Sequence, residues 1–149
     1  MIVCVARQGG DILTGAGTGV LHRWAGGLSI KESPKIHTAC IDALLVTPTH
    51  VFTGGRDSKI SVLDGKTLSV VFQIDCNQFA GSVCNFPRAI ALDNKSLFVG
   101  TFGSEIWKMS LEMVKKTVGK PEVKIQGHYA PMRTDNNEAW GLSIFRDKE

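Results

Sequence analysis

The tetrapeptide Ile12-Leu13-Thr14-Gly15 recurs in similar form as Val51-Phe52-Thr53-Gly54 and as Leu97-Phe98-Val99-Gly100, at offsets of 39 and 46 residues. The same two offsets relate three turn positions and then three large apolar positions: Thr18, Asp57 and Gly103, followed by Trp24, Leu63 and Met109. Three coincident registers indicate an internal repeat. Because repeats of roughly 40 to 45 residues written as short strands are typical of four-stranded propeller blades, the sequence predicts an all-β propeller.

Short β-rich runs separated by Gly, Pro and Asn turns predict four strands in each unit. The predicted strands of the first unit are residues 2–6, 11–15, 20–24 and 28–31; those of the second are 41–46, 50–54, 59–64 and 68–74; those of the third are 88–92, 96–101, 105–110 and 123–126. The units are approximately 1–36, 37–74 and 75–126, with an incomplete fourth at 127–149. A helical turn is expected at 111–116, before the last strand of the third unit.

Closed propeller rings have roughly 4 to 8 blades, and closure hides most of the strand edges. Since this sequence holds about three to three and a half units, we expect it to form part of a larger propeller. Such an arc, expressed alone, is expected to expose apolar blade faces and to aggregate. A monomeric 149-residue chain with a sharp cooperative melt would contradict that expectation.

The composition is that of an ordinary globular protein, with 43% apolar residues, 21% charged residues and a formal net charge of +3. No apolar run approaches the roughly 20 residues that cross a bilayer, and the start of the chain lacks the pattern of a signal peptide. These features favour a cytoplasmic setting without membrane association. No arginine cluster with interleaved aromatic residues points to nucleic acid. The four cysteines have no short paired spacing, so we expect free, buried thiols.

The second unit resembles the WD-repeat family at four places. His37 stands at the family's Gly-His position, Thr53 lies in the second strand, Asp57 lies in the tight turn, and Leu63-Asp64 replaces the usual Trp-Asp. The resemblance implies a hydrogen-bonded relay inside the blade, because a buried Asp needs donors that an imidazole and a hydroxyl can supply. We therefore expect His37, Thr53 and Asp57 to form a structural relay, which lacks the Trp that Leu63 replaces.

A finer resemblance lies in the third unit and beyond. Asn85-Phe86-Pro87-Arg88-Ala89-Ile90, Val99-Gly100-Thr101-Phe102-Gly103-Ser104-Glu105-Ile106, and Gln126-Gly127-His128 followed by Glu138-Ala139-Trp140-Gly141-Leu142-Ser143 are similar to segments of the echinoderm microtubule-associated protein-like family. The resemblance implies two joined propellers and a role in binding tubulin and organising microtubules. On this basis the expected partners are tubulin or microtubules, and the expected location is the cytoplasmic microtubule cytoskeleton.

Basic side chains are the candidates for contact with an acidic partner surface, whose attraction would weaken with salt. The stretch 108–124 has a local charge of +3, and its candidates are Lys115, Lys116 and Lys120. Arg56 and Lys59, beside the tight turn of the second unit, and Arg88 are further candidates. The alternative for the lysines is an ordinary solvated edge, since surface lysines also keep strand edges from associating.

The sequence favours no enzyme and no cofactor. A zinc site from His37, Cys40, Cys76 and Cys84 would lack the close cysteine pairs of structural zinc sites. The glycine-rich run at 15–19 precedes a predicted strand instead of the helix that a phosphate loop needs. Two functions remain: a non-catalytic microtubule-binding protein that acts as a propeller platform, and a generic WD-repeat scaffold or substrate receptor, such as a ubiquitin-ligase adaptor, in another multiprotein assembly.

Overall fold

The computed structural model describes residues 1–78, 84–94, 96–103, 105–112 and 122–129. Within these ranges the chain forms three four-stranded sheets. Sheet 1 consists of β1 (Ile2–Gln8), β2 (Asp11–Ala16), β3 (Leu21–Ala25) and β4 (Leu28–Glu32); sheet 2 of β5 (Ile41–Val46), β6 (His50–Gly55), β7 (Lys59–Asp64) and β8 (Val70–Asp75); sheet 3 of β9 (Pro87–Asp93), β10 (Ser96–Thr101), β11 (Ile106–Glu112) and β12 (Glu122–Tyr129).

Each sheet is an antiparallel meander in which consecutive strands are neighbours. Tight glycine turns make this order possible in sheet 1. Gly26 and Gly27, between β3 and β4, have φ values of +57° and +80°. Two consecutive positive φ angles suit the twist of a two-residue hairpin, and glycine adopts them without the steric cost of a Cβ. The predicted turn at this point is confirmed.

The central strands of sheet 2, β6 and β7, are buried on both faces. Successive residues of β6 point to opposite sides, so Val51 packs with Leu13 and Leu21 of sheet 1, while Phe52 packs with Leu97 and other apolar residues of sheet 3. This explains why β6 is buried without the alternation of a one-sided strand. Burying each such side chain contributes roughly 1.5–3 kcal/mol, so the stacking of sheets is the main source of stability.

The innermost strands β1, β5 and β9 contact one another along the stack, and β4, β8 and β12 form the outer edges. Two rims result. The first rim carries the turns after β2, β6 and β10 together with the connections between sheets. The second rim carries the other hairpin turns. An arginine ties the sheets together at the second rim: Arg23 of β3 donates to the backbone carbonyls of Gly65 and Lys66 in the turn after β7.

The face of sheet 1 that points away from sheet 2 is apolar and open. Ile12 is 40% exposed, whereas Val51, its counterpart one repeat later, is 0% exposed because sheet 1 covers it. Val5, which pairs with Thr14 and so shares this face with Ile12, is also exposed. The contrast between Ile12 and Val51 therefore agrees with the expectation that an apolar blade face is exposed where no neighbouring sheet covers it.

Most predicted strands agree with the structure to within two residues, and the differences lie near the ends of sheets 2 and 3. Leu68, predicted to start a strand, lies in the preceding turn with φ +58° and donates its N–H to the Asp64 carbonyl. Leu111 and Glu112, predicted to begin a helical turn, extend β11 because they pair with Val123 and Glu122. The remainder of that predicted turn lies outside the described residues.

The last strand also runs further than predicted. Gly127 and His128, expected to open a fourth unit, pair with Lys108 and Trp107 in sheet 3 after a register shift. The rest of the predicted fourth unit lies outside the described residues. In the described part of the chain no helix is long and apolar enough to span a membrane.

Candidate functional site

His37, Thr53 and Asp57 form a hydrogen-bonded relay at the junction of sheets 1 and 2. His37 lies in the connection between β4 and β5, Thr53 in β6 and Asp57 in the turn after β6. The imidazole Nδ1 lies 2.9 Å from Asp57 Oδ1, and Nε2 lies 2.8 Å from Thr53 Oγ1. The three side chains predicted from the repeat are thus in direct contact.

The backbone of sheet 1 positions His37. The N–H groups of Ile36 and His37 both donate to the carbonyl of Gly19, at 3.0 and 3.2 Å. Gly19 has φ +85°, and a Cβ at this position would overlap the carbonyl oxygen of His37. A Cβ on Gly55 would likewise overlap the His37 imidazole. Both glycines are therefore required by the close approach of the His37 segment.

Asp57 is held in its ionised form by donors. Burial opposes that form, but hydrogen bonds from His37 and from the backbone N–H groups of Thr38 (3.0 Å) and Lys59 (3.2 Å) outweigh it. Together they hold the pKa of Asp57 below its ordinary value. Because an ionised carboxylate only accepts, Nδ1 of His37 carries a proton toward Asp57. In the neutral imidazole, Nε2 then accepts the hydroxyl proton of Thr53.

The order carboxylate, imidazole, hydroxyl is also that of a nucleophilic triad. Here, however, the hydroxyl-bearing residue Thr53 is 0% exposed, and the His37 side chain is fully buried. No substrate can reach the hydroxyl in this arrangement. The relay instead joins the connection after sheet 1 to β6 and to the turn after β6. It does so through side chains whose hydrogen-bonding groups are paired with one another.

The depressed pKa of Asp57 predicts a pH dependence of stability. Ionised Asp57 contributes stability that is fully present above the unfolded-state pKa of about 3.9 and is lost as the pH falls through the lower folded-state value. We expect the free energy of unfolding to fall less steeply below about pH 4 in Asp57→Asn than in the parent chain. Urea denaturation at neutral and acidic pH measures this. A residual slope is expected because hydrogen bonds from Thr67 and Lys66 also lower the pKa of Asp64; identical slopes would contradict the prediction.

Sheet 1 keeps a fragment of the relay, whereas the indole of sheet 3 forms its hydrogen bond at other positions of the repeat. In sheet 1, Trp24 donates its indole N–H to Thr14 Oγ1 at 2.8 Å. In sheet 3, the indole of the buried Trp107 donates to Glu105 Oε2 at 3.0 Å. Sequence reasoning missed the second pair, since it followed the repeat to Gly103 and Met109. The feature of the sequence that could have indicated this pair is a Trp two residues after a Glu, next to the turn after β10.

No family model matches the chain, and no curated protein matches it. Solved structures do match. The WD40 β-propeller domain of Doa1 has a TM-score of 0.71 at 16% identity, over 95% of this chain and 44% of that one. The computationally designed protein Ika4 has a TM-score of 0.67 at 18% identity, over 99% of this chain and 81% of that one. A chain of the Mitotic Checkpoint Complex has a TM-score of 0.59 at 15% identity, over 73% and 36%.

The fold is that of a WD40 β-propeller. Sheets 1, 2 and 3 are accordingly blades 1, 2 and 3, as the repeat predicted. At these identities the likeness shows the fold alone. The chain spans less than half the length of the Doa1 chain. The resemblance to the echinoderm microtubule-associated protein-like family rests on its sequence motifs and has no counterpart among these matches.

The predicted partner-binding cations of the WD40 blades differ from one another in exposure. Arg56, in the turn after β6, is exposed and its Nε lies 2.7 Å from Asp42 Oδ2. Lys59 is half-buried at the start of β7. Arg88 is buried on the inner strand β9, with Nη1 3.8 Å from Asp42 Oδ1, so its charge has little surface to offer a partner. Lys115, Lys116 and Lys120 lie outside the described residues.

The thiols Cys4, Cys40, Cys76 and Cys84 are all free, and only Cys76 is fully buried. Burial raises the pKa of Cys4 to about 11, and burial together with the nearby Asp75 raises that of Cys76 to about 12. Both thiols are therefore protonated at neutral pH and act as small apolar groups. Among the residues that the structure describes, no three His, Cys, Asp or Glu side chains lie together as a metal site would need.

Proposed function

We propose that this chain is a non-catalytic interaction platform that binds other proteins through the loops of its propeller rims. The relay of His37, Thr53 and Asp57 is the observation that carries this proposal. In the relay, an acid, an imidazole and a hydroxyl lie where they stabilise the blade junction and cannot meet a substrate. Rigid blades with loops at both rims suit recognition by shape and charge.

Tubulin is the partner we propose to test first, with a location on cytoplasmic microtubules. Support comes from the motifs at 85–90, 99–106 and 126–143 that resemble the microtubule-associated family, and from a sequence pI of about 8.7. A basic chain is attracted to the acidic outer surface of tubulin, and attraction between exposed charges weakens as salt shortens the screening length.

Co-pelleting with polymerised microtubules tests this proposal. We expect the pelleted fraction to fall between about 50 and about 300 mM salt, as screened attraction requires. Reversal of two lysines, Lys115→Glu with Lys116→Glu, is expected to lower the pelleted fraction at low salt. Lys35→Glu, which reverses one exposed charge in the loop after β4, is the control and is compared with Lys115→Glu alone as well as with the double variant. Absence of the chain from the pellet at low salt would exclude microtubules as its partner.

A scaffold or substrate receptor in another assembly is the second candidate. The observation that favours it is structural likeness to the WD40 domain of Doa1, to the WD40 repeats of RRP9 and to a chain of the Mitotic Checkpoint Complex. Pelleting with microtubules distinguishes the two candidate functions. A chain that fails to pellet with microtubules, yet migrates in a defined complex of larger mass from a native extract, would favour the second.

A further inference from the structure

A corner on the first rim, between blades 2 and 3, combines two arginines with an aromatic ring. The guanidinium carbon of Arg88 lies 4.2 Å from the centroid of the Phe102 ring, and that of Arg56 lies 5.4 Å from it. Phe86 meets Phe102 edge to face, with centroids 5.9 Å apart. Asp42 contacts both arginines. We call these five residues the arginine corner.

The repeat builds this corner from equivalent positions. Asp42 and Arg88 are counterparts on the inner strands, and Arg56 and Phe102 are counterparts in the turns, at the 46-residue offset. One backbone bond fixes the corner in every blade, from the turn N–H to a carbonyl beside the inner strand: Gly17 to Met1 (2.9 Å), Arg56 to Cys40 (3.0 Å) and Phe102 to Phe86 (3.0 Å).

Blade 1 shows that the fold does not need these side chains. Its counterparts of Asp42 and Arg56 are Val3 and Gly17, yet the same backbone bond forms there. Among the three described blades, charged and aromatic side chains therefore enter this position at the junction of blades 2 and 3 and not in blade 1. A stable blade corner can be built without them, which points to recognition as the reason for their presence.

At the arginine corner the carboxylate is buried and one of the two guanidinium groups is exposed. Asp42 is 1% exposed, whereas Arg56 is 45% exposed. Asp57 and Glu105, the other carboxylates next to these two turns, are also buried. Among the described residues of this rim, two exposed carboxylates, Glu32 and Asp75, lie at the ends of the outer strands β4 and β8. The inner part of the rim between blades 2 and 3 thus presents a cation with its nearby anions turned inward.

We propose that the arginine corner binds an acidic segment of a partner protein, with a carboxylate on Arg56 and an adjacent apolar side chain against Phe102 and Phe86. The inference rests on the proposed interaction function and names its partner chemistry. Asp42 holds Arg56 by its Nε edge, and the guanidinium carbon lies 5.4 Å from the Phe102 centroid, so less side-chain freedom is lost on binding. Arginine is enriched at the energetic centres of interfaces, and phenylalanine is enriched in interfaces relative to the rest of the surface.

Fluorescence anisotropy of the whole chain with a labelled peptide tests the proposal without microtubules. The probe is a peptide of glutamates around a single leucine, and its control carries glutamine in place of each glutamate. Binding of the glutamate peptide at low salt is expected, with Arg56→Gln weakening it roughly tenfold. Lys35→Gln removes the same unit charge from an exposed position on this rim and is expected to change binding less than about twofold.

Phe102→Leu is the second variant, because it keeps the pair of Arg56 and Asp42 while removing the ring. It should weaken binding roughly threefold, the size of a modest aromatic contribution. Equal effects of Arg56→Gln and Lys35→Gln, equal binding of the two peptides, or no binding by the parent chain would each overturn the proposal. Since no microtubule is present, these outcomes are independent of the pelleting result.

Discussion

Replacing His37 by alanine is expected to destabilise the folded chain by about 3–5 kcal/mol, the range for deleting a large buried ring and leaving the polar groups of its partners unpaired. His37 provides Asp57 with a donor at 2.9 Å and Thr53 with a hydrogen-bond partner at 2.8 Å. Without the imidazole, a buried carboxylate loses its main compensating contact and a cavity opens at the blade junction. Urea denaturation followed by tryptophan fluorescence measures the change.

His50→Ala is the matched control for this prediction. His50 is half-buried at the start of β6. In the described part of the chain, its imidazole has one hydrogen-bond partner, the exposed hydroxyl of Thr49, which lies 2.8 Å from Nδ1. His50→Ala should therefore lower the free energy of unfolding by less than about 1 kcal/mol. If the two histidine variants lost equal stability, the relay would contribute nothing beyond an ordinary side chain.

Gly19→Ala is expected to produce the second largest effect, about 2–5 kcal/mol. Its φ of +85° costs an L-residue roughly 1–2 kcal/mol. The added Cβ would also overlap the His37 carbonyl oxygen, and forcing atoms into a packed site typically costs about 1–3 kcal/mol more. Because backbone atoms are involved on both sides, the strain would displace the His37 segment from the relay.

Gly27→Ala separates the two contributions. Gly27 has a similar φ of +80°, but a Cβ there would meet no atom within 4 Å. Only the conformational cost of about 1–2 kcal/mol should remain. Urea midpoints of the two variants can be compared directly, and a loss for Gly19→Ala no greater than that for Gly27→Ala would show that the His37 segment does not approach Gly19 closely.

The strands were predictable because the repeat is written in local chemistry. Alternating apolar residues and glycine turns give each strand its place, and Val51 and Phe52 are both apolar because sheet 2 is covered on both faces. The relay was also predictable, since His37, Thr53 and Asp57 occupy positions that the WD-repeat family shares. Local pattern and tertiary structure agree wherever the repeat is regular.

The remaining features depend on contacts that no local pattern records. Arg88 reads as a surface cation, but the position on an inner strand places it against Asp42 and Phe102. Glu105 and Trp107 pair through a turn that departs from the repeat. The strand ends at Leu111 and His128 were misassigned because their pairing is set by the partner strand instead of by intrinsic preference.

A buried relay, rather than a reaction centre, joins the first blade to the second. A double-mutant cycle on His37→Ala and Asp57→Ala tests it most directly, using urea denaturation of the parent, both single variants and the double variant. We expect the double variant to lose about 2 kcal/mol less than the sum of the single losses, as residues in one hydrogen-bonded network do. Additive losses within about 0.5 kcal/mol would show that the two side chains act independently and would contradict it.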